Sequence, residues 1–298
     1  MGAPAGYGAG VPDLRATLVA ARDALARVDV VGPDAELLAA HVLGTSLGDL
    51  RMRAARGDVL TDDAARALGA LVARRGAREP LQHLTGEAHF RHVTLAVGPG
   101  VFVPRPETEV LVDHALRLAD AAALGAGRAP VVVDACSGSG AVAVAIATER
   151  PAAEVHAVEL SPDALAWTRR NVAALAPGIR VVEGDVGSLA SLLPELVGTV
   201  DVLVANPPYV PAAAVPRDAE VRLHDPALAL YSGDDGLDVV RALAVVGLRM
   251  VRAGGAIALE HGEEQGAAVR DVLGDAGWSH AATHPDLTGR DRVTTALR

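Results

Sequence analysis

From residue 130 onward the chain alternates short apolar runs with stretches of helical periodicity, and that alternation restricts the fold more than any other feature. Residues 131–134, 154–159, 179–183, 200–205 and 256–260 read as strands, with helical spacing at 141–149 and 163–174 between them. Parallel neighbours need crossovers of this kind, so the pattern predicts a mainly parallel, doubly wound sheet. Such sheets bind ligands beyond the carboxyl ends of their strands. The residues just after each run are therefore where chemistry is expected.

Four of those ends carry unusual sequence. Asp134-Ala135-Cys136-Ser137-Gly138-Ser139-Gly140 joins the first strand to an Ala/Val-rich helix. A turn this tight needs glycine where a β-carbon would block a ligand or where φ is positive. Glu159 ends the next strand, 19 residues after Gly140, the spacing at which a carboxylate takes the two hydroxyls of a ribose. Gly184-Asp185-Val186 closes the third, where Asp185 can accept from the amino group of an adenine. The fourth end reads Asn206-Pro207-Pro208-Tyr209.

Asn206 offers an acceptor oxygen, and the bond to Pro207 biases it away from the helical region, so the following carbonyls can point outward. Two acceptors can then hold both N–H groups of a planar NH2, with the Tyr209 ring against its plane. Taken alone, the tetrapeptide is equally a Pro-rich loop after a strand. A nicotinamide dinucleotide fold competes for the glycine turn, but its G-x-G-x-x-G pattern finds Ala143 at the third glycine. The acid before the glycines also fits a cationic ligand better than a pyrophosphate. In this order the four ends jointly describe an S-adenosylmethionine methyltransferase acting on nitrogen.

Composition narrows the alternatives. All 27 basic residues are Arg, which excludes a lysine Schiff base and a Walker lysine. Cys136 is the only cysteine, so neither an internal disulfide nor a cysteine zinc cluster is possible. Residues 1–105 are close to neutral and the remainder carries the whole of the net charge of −10, which argues against a nucleic-acid partner. No apolar run approaches the roughly 20 residues that span a bilayer, and residues 1–10 lack the order of a signal peptide. The expectation is a cytoplasmic monomer without membrane contact or metal.

Ahead of the sheet, residues 12–78 show helical spacing, as in Leu14, Leu18, Ala21 and Leu25. Pro33-Asp34 and Thr61-Asp62-Asp63 read as capped helix starts, giving a bundle of four or five helices. Glycines and β-formers between 84 and 103 read as a hairpin, and Pro104-Arg105-Pro106 ends it before helical spacing resumes at 107–120. The predicted division is a helical domain at 1–83, a hairpin linker at 84–105 and a catalytic domain at 106–298. Glu107 and Glu109 read as capping and salt-bridging the helix they open, and Arg290 and Arg292 as ties between the last strands.

The whole chain resembles the HemK/PrmC family of protein-(glutamine-N5) methyltransferases. The matching stretches include Pro80-Leu81-Gln82-His83-Leu84-Thr85-Gly86-Glu87, Val103-Pro104-Arg105-Pro106-Glu107-Thr108-Glu109, Asn206 to Tyr209, and Gly289-Arg290-Asp291-Arg292. Asn-Pro-Pro-Tyr alone is shared with adenine and guanine N-methyltransferases; the Pro-Arg-Pro-Glu-Thr-Glu and Gly-Arg-Asp-Arg stretches are more specific. The family's glycine turn usually reads Asp-Leu-Gly-Thr-Gly-Ser-Gly, so Cys136 stands in place of a glycine, which a negative φ would accommodate.

The resemblance implies a Rossmann-like fold, S-adenosylmethionine as donor with S-adenosylhomocysteine as product, and the glutamine of the Gly-Gly-Gln motif of class 1 peptide chain release factors as acceptor. Asp134, Cys136, Ser137, Gly138, Ser139, Gly140, Glu159, Asp185, Val186 and Asn206 are then expected around the cofactor. Asn206, Pro207, Pro208, Tyr209, Phe102 and Pro104 are expected around the substrate, with Asn206, Pro207 and Tyr209 acting in catalysis. A nucleic-acid methyltransferase acting on adenine N6 or guanine N2 is the alternative enzyme, and a noncatalytic binding module with the same fold is the alternative outside enzymes.

Overall fold

The computed structural model describes residues 13–298, and the reading of residues 1–10 lies outside them. Contacts divide the chain into two units, meeting between Gly86 and Glu87. The first contains α1 (Leu14–Ala26), α2 (Asp34–Leu43), α3 (Leu47–Ala55), α4 (Asp62–Gly76) and the short α5 (Leu81–Thr85). Leu14, Leu18, Leu38, Leu50, Leu60 and Leu68 close its main core. Asp13, Ser46 and Thr61 each cap the following helix through a side-chain oxygen. Pro33 does not, because it has no such oxygen, so the capped start expected at Pro33-Asp34 reduces to the acids Asp34 and Glu36 in the first turn.

The second unit opens with the hairpin β1 (Glu87–Phe90) and β2 (Val93–Ala96) and continues through α6 (Thr108–Ala126), β3 (Val131–Asp134), α7 (Ala141–Glu149), β4 (Glu154–Glu159), α8 (Pro162–Leu175) and β5 (Arg180–Glu183). Then come α9 (Leu189–Leu192), β6 (Val200–Ala205), α10 (Ala219–His224), α11 (Asp238–Met250), β7 (Val251–Glu260), α12 (Gly266–Ala276), β8 (Ser279–Pro285) and β9 (Asp291–Leu297). The hairpin packs into the core of this unit through Ala88, Phe90, Val93 and Leu95. Arg91 at its tip takes a positive φ, ion-pairs with Glu149 and Asp113, and donates its backbone N–H to Glu109.

The seven-stranded sheet has the order β5-β4-β3-β6-β7-β9-β8. The strands from β5 to β7 are parallel, and β9 returns antiparallel between β7 and β8. From β3 the chain builds outward one way through β4 and β5, then crosses back to lay β6 on the other side. That reversal opens a crevice above the carboxyl ends of β3 and β6. Alternate strand residues bury on opposite faces: Val132, Val202 and Val204 join the core shared with α6, α7 and the hairpin, while Val131, Val133, Leu203 and Ala205 join the core shared with α11. Asp201 is buried inside β6, paired with Arg128 at 2.7 Å and accepting the Val131 N–H at 2.8 Å, which locks β6 to the start of β3. Among the described residues, no helix is long and apolar enough to cross a membrane.

Candidate active site

The glycine turn is held from below. Asp134 is fully buried, and its Oδ2 accepts the Ser137 hydroxyl at 2.8 Å and the Ala143 N–H at 3.1 Å, tying the turn to the start of α7. Burial pushes its carboxyl up to about 7, against those two hydrogen bonds. Gly138 and Gly140 take φ of 56° and 83°, which side chains rarely adopt. A β-carbon on Gly138 would meet nothing within 4 Å. Cys136 has no positive φ, so the residue standing in place of a glycine sits on ordinary backbone.

Above this turn lies a cavity of about 400 Å³, a volume suited to a small-molecule ligand. Cys136, Ser137, Gly138, Ser139, Glu159, Asp185 and Val186 line one part of it. Asn206, Pro208, Tyr209, Phe102 and Pro104 line another. Asp134, Gly140 and Pro207 are not on the wall: Asp134 braces the turn, Gly140 caps α7, and Pro207 is buried.

Glu159 is fixed at both oxygens, Oε2 by the Gly138 N–H at 2.7 Å and Oε1 by the Ser161 N–H at 2.8 Å. A carboxylate so held keeps further lone pairs for hydroxyl donors at the cavity it lines. Asp185 caps the turn after β5 by accepting the Gly187 N–H at 2.8 Å. Five acids line the cavity, Glu107, Glu159, Asp185, Asp218 and Glu260, against the two arginines Arg105 and Arg292. That balance favours a cationic ligand over a polyanion.

Asn206 follows β6, and its Nδ2 donates to Thr108 Oγ1 at 3.2 Å. The amide is thereby oriented, with Oδ1 left as an acceptor. The Tyr209 backbone oxygen accepts from Gln265 at 3.0 Å, and a β-carbon on Gly236 would lie 2.2 Å from that same oxygen, so the loop closes only over glycine. Burial raises the Tyr209 phenol well above its ordinary value, keeping it protonated. Across the cavity, Arg105 lies over the Phe102 ring at 4.9 Å and bonds Asp225, whose side chain is wholly buried, at 3.0 Å. This pair ties the segment before α6 to the segment after α10.

Residues 16–86 match the PrmC N-terminal domain and residues 95–240 the methyltransferase small domain. A release factor glutamine methyltransferase of Streptomyces coelicolor is 46% identical over 289 residues, 96% of this chain and 98% of that one. The chain belongs to the release factor glutamine methyltransferase family. The Mycolicibacterium smegmatis protein of the same name is 45% identical, again over 96% and 98% of the two chains. A 4-amino-L-phenylalanine/4-methylamino-L-phenylalanine methyltransferase of Streptomyces pristinaespiralis is 40% identical over 91% of this chain and 88% of its own.

In this methyltransferase the structure also brings to the cavity residues that the sequence did not single out. Glu260 ends β7, is 2% exposed, and has an Oε2 without a hydrogen-bond partner. Burial pushes its carboxyl up to about 7, against the Thr108 hydroxyl and the Arg292 charge. Thr108 is almost fully buried at the start of α6. The signal for Glu260 was present, since it is an acid ending an apolar strand just as Asp134 and Glu159 are. Arg292 does tie β9 to β7, donating to the His261 carbonyl at 3.2 Å, and it lines the cavity as well. The expected capping by Glu107 and Glu109 is corrected: Glu107 makes no side-chain cap, and Glu109 instead accepts the Arg91 N–H at 2.8 Å. His261 is buried against Gly262 and Thr294, and among the described residues no cluster of His, Cys, Asp or Glu is arranged to hold a metal.

Proposed function

We propose that this enzyme methylates the side-chain N5 of the glutamine in the Gly-Gly-Gln motif of class 1 peptide chain release factors, with S-adenosylmethionine as donor. The observation that carries the reading is Asn206: its NH2 is committed to Thr108, leaving Oδ1 as a fixed acceptor in a cavity of net negative charge. The names of the Streptomyces coelicolor and Mycolicibacterium smegmatis relatives support the release factor as acceptor.

The cavity fits the donor. Gly138 leaves the space a β-carbon would fill, Glu159 suits the ribose hydroxyls, Asp185 suits the adenine amino group, and the excess of acids suits a sulfonium. S-adenosylmethionine supplies an electrophilic methyl carbon and departs as S-adenosylhomocysteine.

What the chain must supply is position, because the lone pair of a primary amide is delocalised into its carbonyl. Asn206 Oδ1 accepts one N–H bond and aims the nitrogen at the methyl carbon, whereas Pro207, expected as the second acceptor, lies off the cavity wall. Positioning of this kind contributes several kcal/mol, on the order of 7–11 at most. As the nitrogen gains positive charge its N–H groups become stronger donors, so Asn206 Oδ1 binds the transition state more tightly than the ground state. Tyr209 packs against the amide plane, while Phe102, Pro104 and Pro208 keep water from the reacting nitrogen. The protonated, methylated amide is acidic enough to lose its proton to solvent without a dedicated base.

The test is transfer of labelled methyl from S-adenosylmethionine to an unmodified release factor, beside a Gln→Ala change in its Gly-Gly-Gln motif, and with Asn206→Ala enzyme. Label that requires both the glutamine and Asn206 is the expected result. Label on DNA or RNA instead would move the acceptor to a nucleic-acid base. Label on free 4-amino-L-phenylalanine and none on release factor would align the chain with its Streptomyces pristinaespiralis relative.

A further inference from the structure

The side-chain NH2 of a glutamine carries two N–H groups, and Asn206 Oδ1 meets only one of them. Without an acceptor the second would be buried unpaired, and the nitrogen would be free to swing away from the methyl carbon. The sheet places another acceptor beside the first. β6 and β7 are parallel neighbours whose register pairs Val204 with Ala258 and Ala205 with Leu259, so the next positions, Asn206 and Glu260, fall side by side at the carboxyl ends of the two strands. Ala205 and Leu259 bury in the core shared with α11, and Val204 and Ala258 in the core shared with α6, so alternation puts Asn206 and Glu260 together on the α6 face. Each has a second observation behind it. Asn206 bonds Thr108 at the start of α6, and Glu260 pairs across β9 with Val293, which buries on that same face. Neighbouring strands lie about 4.8 Å apart. Two oxygens that each take one hydrogen of a planar NH2, at about 2.9 Å and about 120° apart, lie about 5 Å from each other, so the strand spacing is the spacing the two acceptors need.

Glu260 has acceptor capacity to spare. It is 2% exposed, lines the cavity with Asn206, and its Oε2 has no hydrogen-bond partner. A buried acceptor that the chain itself leaves unmet is the kind of group a ligand donor completes. Arg292 from β9 faces it, but that guanidinium donates to the His261 carbonyl and stands 3.8 Å from Asp286. Glu107 from the segment before α6 and Tyr209 from the loop after β6 are the other titratable groups turned toward it. We propose that Glu260 is a catalytic residue whose carboxylate accepts the second N–H of the substrate amide, opposite Asn206 Oδ1. The proposal deepens the methyl-transfer reading above and rests on it. As the N–C bond forms and the S–C bond breaks, the positive charge leaves sulfur for the nitrogen, beside the carboxylate, and the proton is then lost to solvent. Asn206 fixes direction, and Glu260 adds a charge that favours the transition state. The same charge selects an amide over an acid, because a substrate carboxylate in that place would face a like charge.

The experiment uses the full chain, wild type and Glu260→Gln, with release factors carrying Gly-Gly-Gln or Gly-Gly-Glu. Gln keeps the shape and an acceptor oxygen and removes only the charge. At about pH 8, Glu260→Gln should lower kcat about tenfold or more, while the affinity for S-adenosylhomocysteine, read by calorimetry, changes less than about threefold. In the presence of S-adenosylhomocysteine, wild type should bind the Gly-Gly-Glu factor at least about tenfold more weakly than the Gly-Gly-Gln factor, and Glu260→Gln should bind the two within about threefold of each other. A merely structural role would move both affinities together. Burial brings the Glu260 titration up to about 7, so the discrimination by wild type should also widen between about pH 6 and about pH 8, a measurement that needs no variant to fold. A kcat unchanged within about twofold, or a discrimination that is the same in Glu260→Gln and at both pH values, overturns the proposal while leaving methyl transfer to the glutamine intact. A wild-type enzyme that neither binds nor methylates the Gly-Gly-Gln factor overturns the functional reading, and the role of Glu260 with it.

Discussion

Replacing Asp134 with Asn should flatten the pH dependence of stability in the second unit, and the size of the change follows from the burial of one carboxyl. Asp134 is wholly buried and titrates at about 7 against an ordinary value of 3.8. A carboxyl raised in the folded state contributes stability that is fully present below its unfolded pKa and is lost as pH rises through its folded pKa. From about pH 5.5 upward the unfolded carboxyl is already ionised, while the folded one is not until about pH 7. One and a half units at about 1.4 kcal/mol each give a loss of about 2 kcal/mol by about pH 8. Asn cannot titrate, and its oxygen can keep the bonds from the Ser137 hydroxyl and the Ala143 N–H while its NH2 takes the position of the unpartnered Oδ1. Glu260, raised to about 7, and His114, lowered to about 4 chiefly by burial, titrate in both proteins and cancel from the comparison. Urea unfolding followed by tryptophan fluorescence isolates the second unit, because Trp167 and Trp278 both lie in it. Between about pH 5.5 and 8 the variant should gain about 2 kcal/mol on wild type. A difference constant within about 0.5 kcal/mol would refute the reasoning, since it would mean Asp134 stays ionised throughout.

Three further substitutions probe other parts of the second unit. Cys136→Gly should change the affinity for S-adenosylhomocysteine less than about threefold by calorimetry, because Cys136 needs no glycine backbone; the native thiol, pushed up by burial, should react with iodoacetamide at about pH 8 at least about tenfold more slowly than in urea. Gly184→Ala would set a β-carbon 2.3 Å from Leu192 Cδ1 and should lower stability by about 1–3 kcal/mol in the same urea experiment. Arg105→Ala leaves the buried Asp225 without its partner, at about 1–3 kcal/mol, and should make the segment between β6 and α11 the first site of limited proteolysis.

Where a stretch of sequence determines its own structure, it was legible. Residues 131–134 and 200–205 are buried strands at the predicted bounds, and Leu14, Leu18, Ala21 and Leu25 bury along α1 as their spacing requires. Asn206 was legible for the same reason, since a polar residue at the end of a buried strand in a parallel sheet has one place to go. Thr108 was not, because its meaning comes from a residue 98 positions away. The expected role of Glu109 failed through a fact 18 positions away, the positive φ of Arg91 at the hairpin tip, whose backbone N–H it accepts.

The acids that end strands separate these two kinds of information most clearly. Asp134, Glu159 and Glu260 look alike in sequence, each closing an apolar run. Asp134 turned out to be a buried brace, Glu159 a cavity carboxylate fixed by two N–H groups, and Glu260 a nearly buried acid on the same cavity wall. A terminal acid therefore marks the carboxyl edge of the sheet and leaves open what it faces, which depends on strand order. β3 and β6 flank the reversal, so their ends frame the crevice, and β7 lies beside β6 because the chain adds strands outward from that point. Glu260 lines the same cavity as Asn206 only through that adjacency. Moving β7 one place along the sheet would leave the same glutamate closing the same apolar run, away from the cavity that Asn206 lines.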